Sequence, residues 1–345
     1  MKKEGKLSLL AALAMTAVTI LAYTFILGGW EMGLFYLLFT AAFFGVNFLL
    51  YLGVKQIGKR RAAKITASVL ICVLNFAVAL GVSVYYLQGK LLFSPSNSVE
   101  CFNTLKAKPE FEQVSITARD GTQLRGWLKK NTKNEPAPLV IYFGGNGQNS
   151  SQTFRNYLKG RVFEKYAGCN VMMMDYRSYG YSAGTPSDAD MFSDAVDIYD
   201  FAVKQPYVEK SHVVSVGYSL GTGAATCLAS QRKVAGLVLV APYYDGQHLY
   251  NSMLDIFHGP MTALMRYQFD TKRYAPNVQV SPLIFTSKTD KMINYQQSEA
   301  LAKKFKSVYK FVYIKGTGHN DYFGKTQMLN ELSGYIHRVT GGAVQ

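Results

Sequence analysis

The sequence predicts an α/β protein: a mostly parallel sheet with helices on both faces and a small helical cap, preceded by three transmembrane helices. Three observations predict it. The first 94 of 345 residues contain no Pro and no Asp, and they hold three long charge-free apolar runs. From Glu112 onward, short apolar runs of strand length alternate with helical stretches. The composition, with 24 tyrosines, 21 phenylalanines and only 17% charged residues, excludes a disordered chain. Four cysteines are too sparse for a disulfide-stapled secreted domain.

Residues 1–90 form the first region. The apolar runs are 7–30, 32–54 and 65–89, of 24, 23 and 25 residues. Each exceeds the roughly 20 residues that cross the hydrocarbon core as a helix. Trp30, Tyr51, Tyr85 and Tyr86 stand near run ends, where amphipathic rings favour the interface. A cleavable signal peptide has a shorter apolar core and a small-residue cleavage site, and the first run has neither. Soluble core helices keep a polar stripe, which these runs lack. Lys2, Lys3 and Lys6 precede the first run, and Lys55, Lys59, Arg60, Arg61 and Lys64 lie between the second and third. Basic loops stay cytoplasmic. The expected topology therefore puts the N-terminus inside and everything after Lys90 on the non-cytoplasmic side.

Net charge is +15, of which residues 1–90 supply +7 and 91–345 supply +8. Much of the excess is topological, and no long basic run remains, so nucleic acid is not an expected partner. The lipid bilayer is, with weak attraction to anionic headgroups. Cys72, Cys169 and Cys227 lie in apolar surroundings and read as small buried hydrophobes, and Cys101 has no obvious partner.

Residues 91–111 are expected as a juxtamembrane linker and 112–345 as one catalytic-size domain. Segments 113–118 and 122–128 flank Asp120-Gly121, a hairpin turn signal. Strands are expected at 139–143, 170–174, 212–216, 234–240, 283–286 and 309–314. Helices are expected near 152–166, 188–204, 220–231, 295–306 and 325–338. Strand–helix alternation implies parallel pairing. One insertion, 243–275, breaks the alternation. Its Leu249, Met253, Ile256, Phe257, Leu264 and Met265 could form one apolar face, either packed on the core or capping a substrate pocket.

The chemistry centres on Gly217-Tyr218-Ser219-Leu220-Gly221, a G-x-S-x-G motif. Chance alone supplies roughly 0.2 such matches in a chain of this length. Here the motif follows an apolar strand and precedes a small-residue helix, the strand–turn–helix that a nucleophile elbow requires. Ser219 is then a nucleophile in need of a base. Of five histidines, His319 lies in a Gly-rich loop directly after the last strand. His212 precedes its strand, His248 and His258 belong to the insertion, and His337 is on the final helix. Asp290 follows the preceding strand and would orient the imidazole. Asp321 is a rival, but a residue two positions from His319 usually points elsewhere. The order Ser219, Asp290, His319 suits an elbow on a parallel sheet. An oxyanion hole needs two backbone N–H groups. Leu220 supplies one, and Asn146 of Gly144-Gly145-Asn146-Gly147 the other.

Taken together, 120–127, 144–149, the stretch Asp175-Tyr176-Arg177-Ser178-Tyr179-Gly180 continuing to Ser187, 217–223, Asp290 and Gly318-His319-Asn320-Asp321 resemble the α/β-hydrolase superfamily. They resemble its serine aminopeptidase-like branch, which includes membrane-associated lysophospholipases and depalmitoylating thioesterases. The resemblance spans 112–338 and implies that the family's nucleophile, acid and base carry over to Ser219, Asp290 and His319. Two departures stand out. Relatives usually have His-Gly-Asn where Gly144-Gly145-Asn146 stands, and His-Gly where Thr286-Ser287 stands. The leading expectation is a membrane-anchored serine hydrolase of ester or thioester bonds in lipid-like or acylated substrates. The alternatives are a serine peptidase using Asp245, Asp255 or Asp270 to hold an amine, and a non-catalytic binding protein on the same fold. No metal cluster, phosphate loop or dinucleotide fingerprint stands in the sequence, so no cofactor is expected.

Overall fold

A computed structural model describes residues 61–342 apart from 132–134 and 167. The chain divides into two compact units, Met1–Gln88 and Gly89–Gln345. The apolar runs 7–30 and 32–54 lie outside the described residues. The run 65–89 lies within one helix of 32 residues, α1 (Arg61–Leu92), many of whose side chains also lie outside them. Among the described residues, no helix is long and apolar enough to cross a membrane.

The second unit holds eight strands among the described residues: β1 (Phe111–Thr117), β2 (Gln123–Lys129), β3 (Ala137–Phe143), β4 (Asn170–Met174), β5 (Val208–Tyr218), β6 (Gly236–Val240), β7 (Leu283–Thr286) and β8 (Lys310–Tyr313). Their order is β1-β2-β4-β3-β5-β6-β7-β8. The β1–β2 hairpin joins β4 antiparallel, and every later pairing is parallel. Strands β3, β4, β6 and β7 are buried throughout. That is why they read as unbroken apolar runs: helices cover both faces of a parallel sheet. Strand β1 instead alternates buried and exposed positions toward its end.

The helices are α2 (Val99–Lys106), α3 (Ser150–Lys159), α4 (Asp188–Ala202), α5 (Gly221–Gln231), α6 (Gly246–Met253), α7 (Thr271–Tyr274), α8 (Tyr295–Ala302) and α9 (Thr326–Val339). Side-chain caps set several starts. Ser187 Oγ accepts the Asp190 N–H at the head of α4, whose Asp188 and Asp190 also suit the positive helix end. The helix expected over 152–166 divides into α3 and a 3-10 turn, Val162–Tyr166, because Gly160 closes α3 and Arg161 takes a left-handed φ of 57°.

Two expectations are corrected. Residues 91–111 are not a linker. Leu92 and Phe93 are buried, and Phe93 packs against Tyr267 and Phe269. Helix α2 buries Cys101 and Leu105, one turn apart, and sets Phe102 against Trp127 and Tyr181. The insertion 243–275 is not one apolar face either. Leu249 and Phe257 are buried, but Met253 is exposed. The insertion is short elements, α6, a 3-10 turn at Gly259–Leu264 and α7, pinned by Tyr243, Tyr250, Tyr267 and Phe269.

The register positions the site. Gly217 of β5 stands opposite Phe143, the last residue of β3, and Tyr218 opposite Val240, the last of β6. The segments leaving β3, β5 and β6 therefore converge at the carboxyl edge of the sheet, as do those leaving β7 and β8.

Candidate active site

Ser219 sits between β5 and α5 with a φ of 51°, a left-handed backbone for a residue with a Cβ. Such a conformation costs on the order of 1 kcal/mol and persists only where neighbours over-determine it. Here they do. The Ser219 N–H donates to Val240 O at 2.8 Å, and Thr222 N and Oγ1 donate to Ser219 O at 3.0 and 2.6 Å. A Cβ on Gly217 would stand 2.6 Å from Gly221 O, and one on Gly221 would fall on the Phe143 carbonyl. Both motif glycines are thus required by the closeness of strand, turn and helix.

Three of the residues read from the sequence meet here. His319 Nε2 lies 2.8 Å from Ser219 Oγ, and His319 Nδ1 lies 2.8 Å from Asp290 Oδ2. An ionised carboxylate only accepts, so Nδ1 carries the ring proton and Nε2 is left to accept from the serine hydroxyl. Asp290 Oδ1 accepts the Met292 and Ile293 N–H groups, each at 2.9 Å, and Oδ2 also accepts from Tyr322 OH at 3.1 Å. Burial pushes the Asp290 carboxyl up, but donation from His319 and the two backbone amides outweighs it and leaves it below its ordinary value. Asp321 is exposed in the 3-10 turn His319–Gly324, and among the described residues no hydrogen bond joins it to His319. Of the other histidines, His212 pairs with Glu209, His248 with Asp245 and His258 with Asp255, and His337 is exposed on α9.

Nothing in the sequence assigns a role to Tyr218 or Thr289, which stand beside this trio. Tyr218 OH donates to His319 O at 2.7 Å, and its ring packs on the imidazole at 5.3 Å. Ser287 Oγ and Thr289 Oγ1 both donate to Thr317 O, at 2.8 and 2.9 Å, joining the loop that carries Asp290 to the loop that carries His319. Ser287, part of the second departure from the family pattern, is therefore a tie between the loops that carry Asp290 and His319.

The loop after β3 is held from inside by three groups. Tyr176 OH donates to Gly144 O at 2.7 Å, Gly145 N donates to Gln148 Oε1 at 2.9 Å, and Tyr142 OH donates to the same oxygen at 3.2 Å. Gln148 also fills the space beside Gly144, where a Cβ would stand 3.0 Å from its Oε1. A Cβ on Gly145 would press the Tyr218 ring at 2.9 Å and stand 3.4 Å from Ser219 Cβ, so this loop runs directly against Ser219. Among the described residues, neither the Leu220 nor the Asn146 backbone N–H has a hydrogen-bond partner.

The stretch 175–187 positions these parts. Asp175 is buried and accepts the Ser150 N–H at the head of α3. Gly180, at a φ of 52°, leaves room for that carboxylate, onto which a Cβ would fall. Arg177 is buried against Asp194, donating at 2.9 and 2.8 Å, and reaches Asp120 of the β1–β2 turn at 2.6 Å. Among the described residues, no group of His, Cys, Asp and Glu is arranged to hold a metal ion.

This sheet order, with a serine on a left-handed turn after β5, is that of the α/β-hydrolase fold. The family model for the alpha/beta hydrolase fold matches residues 138–282. An uncharacterized protein of Mycobacterium tuberculosis is 28% identical over 240 residues, covering 68% of this chain and 81% of that protein. The alpha/beta hydrolase domain-containing protein aho-3 of Caenorhabditis elegans is 25% identical over 197 residues, 57% of each chain. Among solved structures, the esterase Pf2001 of Pyrococcus furiosus overlays with a TM-score of 0.56 at 14% identity, covering 72% of this chain and 98% of that one.

Proposed function

We propose that this protein is a serine hydrolase that cleaves carboxylic ester or thioester bonds through an acyl-enzyme on Ser219. The observation that carries the reading is the continuous chain from Ser219 Oγ through His319 to Asp290, with the serine held at a left-handed turn. In the reaction, Ser219 Oγ attacks the substrate carbonyl carbon while its proton passes to His319 Nε2. The Leu220 and Asn146 N–H groups receive the developing oxyanion. The tetrahedral intermediate collapses, and the alcohol or thiol leaves with the proton from His319. Water then repeats the sequence, releasing the acid and the free serine. Asp290 holds the imidazole tautomer and stabilises the imidazolium.

The reading extends to place and substrate. Three apolar runs in the first 90 residues support membrane anchoring, with the N-terminus cytoplasmic and the catalytic domain on the other side. A domain tethered to a bilayer favours lipid-like or acylated substrates. Of the acids that the peptidase alternative would use to hold an amine, Asp245 is occupied by Lys272 and His248 and Asp255 by His258, while Asp270 Oδ1 is buried with no hydrogen-bond partner among the described residues.

The test treats membranes carrying wild type or Ser219→Ala with a fluorophosphonate probe. Labelling of wild type alone, followed by turnover of ester and thioester panels, is the expected result. Absence of labelling in a folded, inserted wild type would overturn the reading.

A further inference from the structure

The segment Ser94-Pro95-Ser96 lies immediately after α1 and 50 residues before the loop that supplies Asn146, yet it is bonded to that loop throughout. The Ser94 N–H donates to Asn146 Oδ1 at 2.8 Å and to Tyr179 OH at 2.9 Å. Tyr179 OH in turn donates to Asn146 Oδ1 at 2.7 Å, closing a triangle. The Asn146 amide nitrogen reaches Ser94 Oγ at 3.4 Å. Two residues on, Ser96 Oγ donates to Gly147 O at 2.6 Å and accepts from Asn149 Nδ2 at 3.0 Å. Asn149 is itself the cap of α3, accepting the Gln152 N–H at 2.9 Å. Ser96 O accepts the Gly180 N–H at 2.8 Å. The segment is anchored behind by Phe93, buried between Tyr267 and Phe269.

Physical chemistry says why the loop needs such ties. Gly144-Gly145-Asn146-Gly147 has three glycines in four residues, and glycine loses more backbone freedom on ordering than any other residue. A peptide unit flanked by glycines can rotate and turn its N–H away from the nucleophile. Inside contacts fix Gly144 and Gly145 through Tyr176 and Gln148, and Asn146 and Gly147 are fixed from outside. Asn146 spends its side chain on Ser94 and Tyr179 and keeps its backbone N–H without a partner among the described residues. Burial pushes the Tyr179 phenol up to about 12, against donation from the Ser94 and Gly147 amides, so it stays a donor through the assay range.

We propose that 94–96 is a strap that sets the Asn146 N–H in the oxyanion hole, with Ser96 and Tyr179 as positioning residues. This rests on the hydrolase reading above. It adds that the stretch expected as a linker takes part in catalysis without touching substrate.

The test compares full-length wild type, Ser219→Ala, Ser96→Ala, Ser96→Thr and Tyr179→Phe on a soluble p-nitrophenyl ester, with kcat, KM and Tm for each. Expected are kcat values about tenfold lower in Ser96→Ala and Tyr179→Phe, KM within about twofold, and parallel slowing of phosphonate labelling. Ser96→Thr keeps the hydroxyl and restores most of kcat. Wild-type kcat in both Ser96→Ala and Tyr179→Phe, or losses confined to KM and Tm, would overturn the strap while leaving the hydrolase reading intact. A wild type with no Ser219-dependent turnover overturns both. Because the two variants remove different bonds, a folding failure in one leaves the other to decide.

Discussion

The elbow that carries Ser219 and the loop that faces it are built on opposite plans. The elbow is determined locally. Gly217, Ser219 and Gly221 lie within five residues, and their own sterics force the left-handed serine. The facing loop, 144–149, is determined from a distance, by Ser94, Ser96, Tyr176 and Tyr179. The loops bearing Asp290 and His319 resemble the second plan, being tied through Ser287, Thr289 and Tyr218. One site thus combines a part that a short motif specifies with parts that only the folded chain assembles. A substitution in the first should act through shape, and one in the second through alignment.

The largest effect separates an intact elbow from a working one. Asp290→Asn leaves Ser219 and its glycines untouched but lets the imidazole take the wrong tautomer. It should lower kcat about 10⁴-fold, equivalent to about 5.5 kcal/mol, with Tm little changed. Asp321→Asn should stay within about twofold of wild type, because Asp321 faces solvent. Equal losses in the two variants would mean that Asp290 is not the acid. Next comes the elbow itself. Gly221→Ala forces a methyl onto the Phe143 carbonyl, so strand and helix must separate. Chemical denaturation should show a loss of about 3 kcal/mol, and Ser219 should no longer label. Normal stability would break the claim that local sterics set the elbow.

The same contrast explains what could be read in the sequence. Alternating strands and helices were legible because buried parallel strands leave no polar face. The expected 170–174 and 283–286 coincide with β4 and β7. Ser219, Asp290 and His319 could be ordered because each follows a strand at the same sheet edge. Residues 91–111 read as a linker because they stand between the last apolar run and the first expected strand. Their contacts appear only once Ser94 and Ser96 meet a loop 50 residues on. Tyr218 and Tyr322 were equally silent: a hydroxyl aimed at His319 O or Asp290 has no local pattern. The stretch 175–187 was recognised as a family mark, and Asp175, Arg177 and Gly180 serve the architecture around the site.

Asp175 offers a test on the assembled side. Burial raises its carboxyl, donation from the Ser150 and Tyr181 amides lowers it, and the balance leaves it at about 6 against an ordinary 3.8. Between those values the folded protein binds more protons than the unfolded one. Wild-type stability therefore gains from this group as pH falls through that window, and carries the cost of a buried charge above it. Asp175→Asn removes the term while keeping an oxygen for the Ser150 N–H. Its stability relative to wild type should decline by about 2–3 kcal/mol from pH 7 to pH 4, read from urea midpoints. Parallel pH profiles would mean that Asp175 is not a buried charge in the folded state.

The smallest effect is the most selective. Ser287 Oγ donates to Thr317 O from a fully buried position, two residues before His319 and three before Asp290 in their respective loops. Removing the hydroxyl leaves a buried carbonyl that Thr289 Oγ1 still reaches at 2.9 Å, so the lost stability should be only about 1 kcal/mol. The Asp290–His319 distance, however, depends on how these loops meet. Ser287→Ala should therefore lower kcat by about threefold to tenfold with KM unchanged, and Ser287→Thr should recover part of it. Combining Ser287→Ala with Ser96→Ala sharpens the comparison further. One loosens the base and the other the oxyanion hole, on different loops, so the two kcat losses should multiply. A double variant no worse than either single one would mean that both act through one shared alignment, and the two assembled halves of the site would then be a single unit.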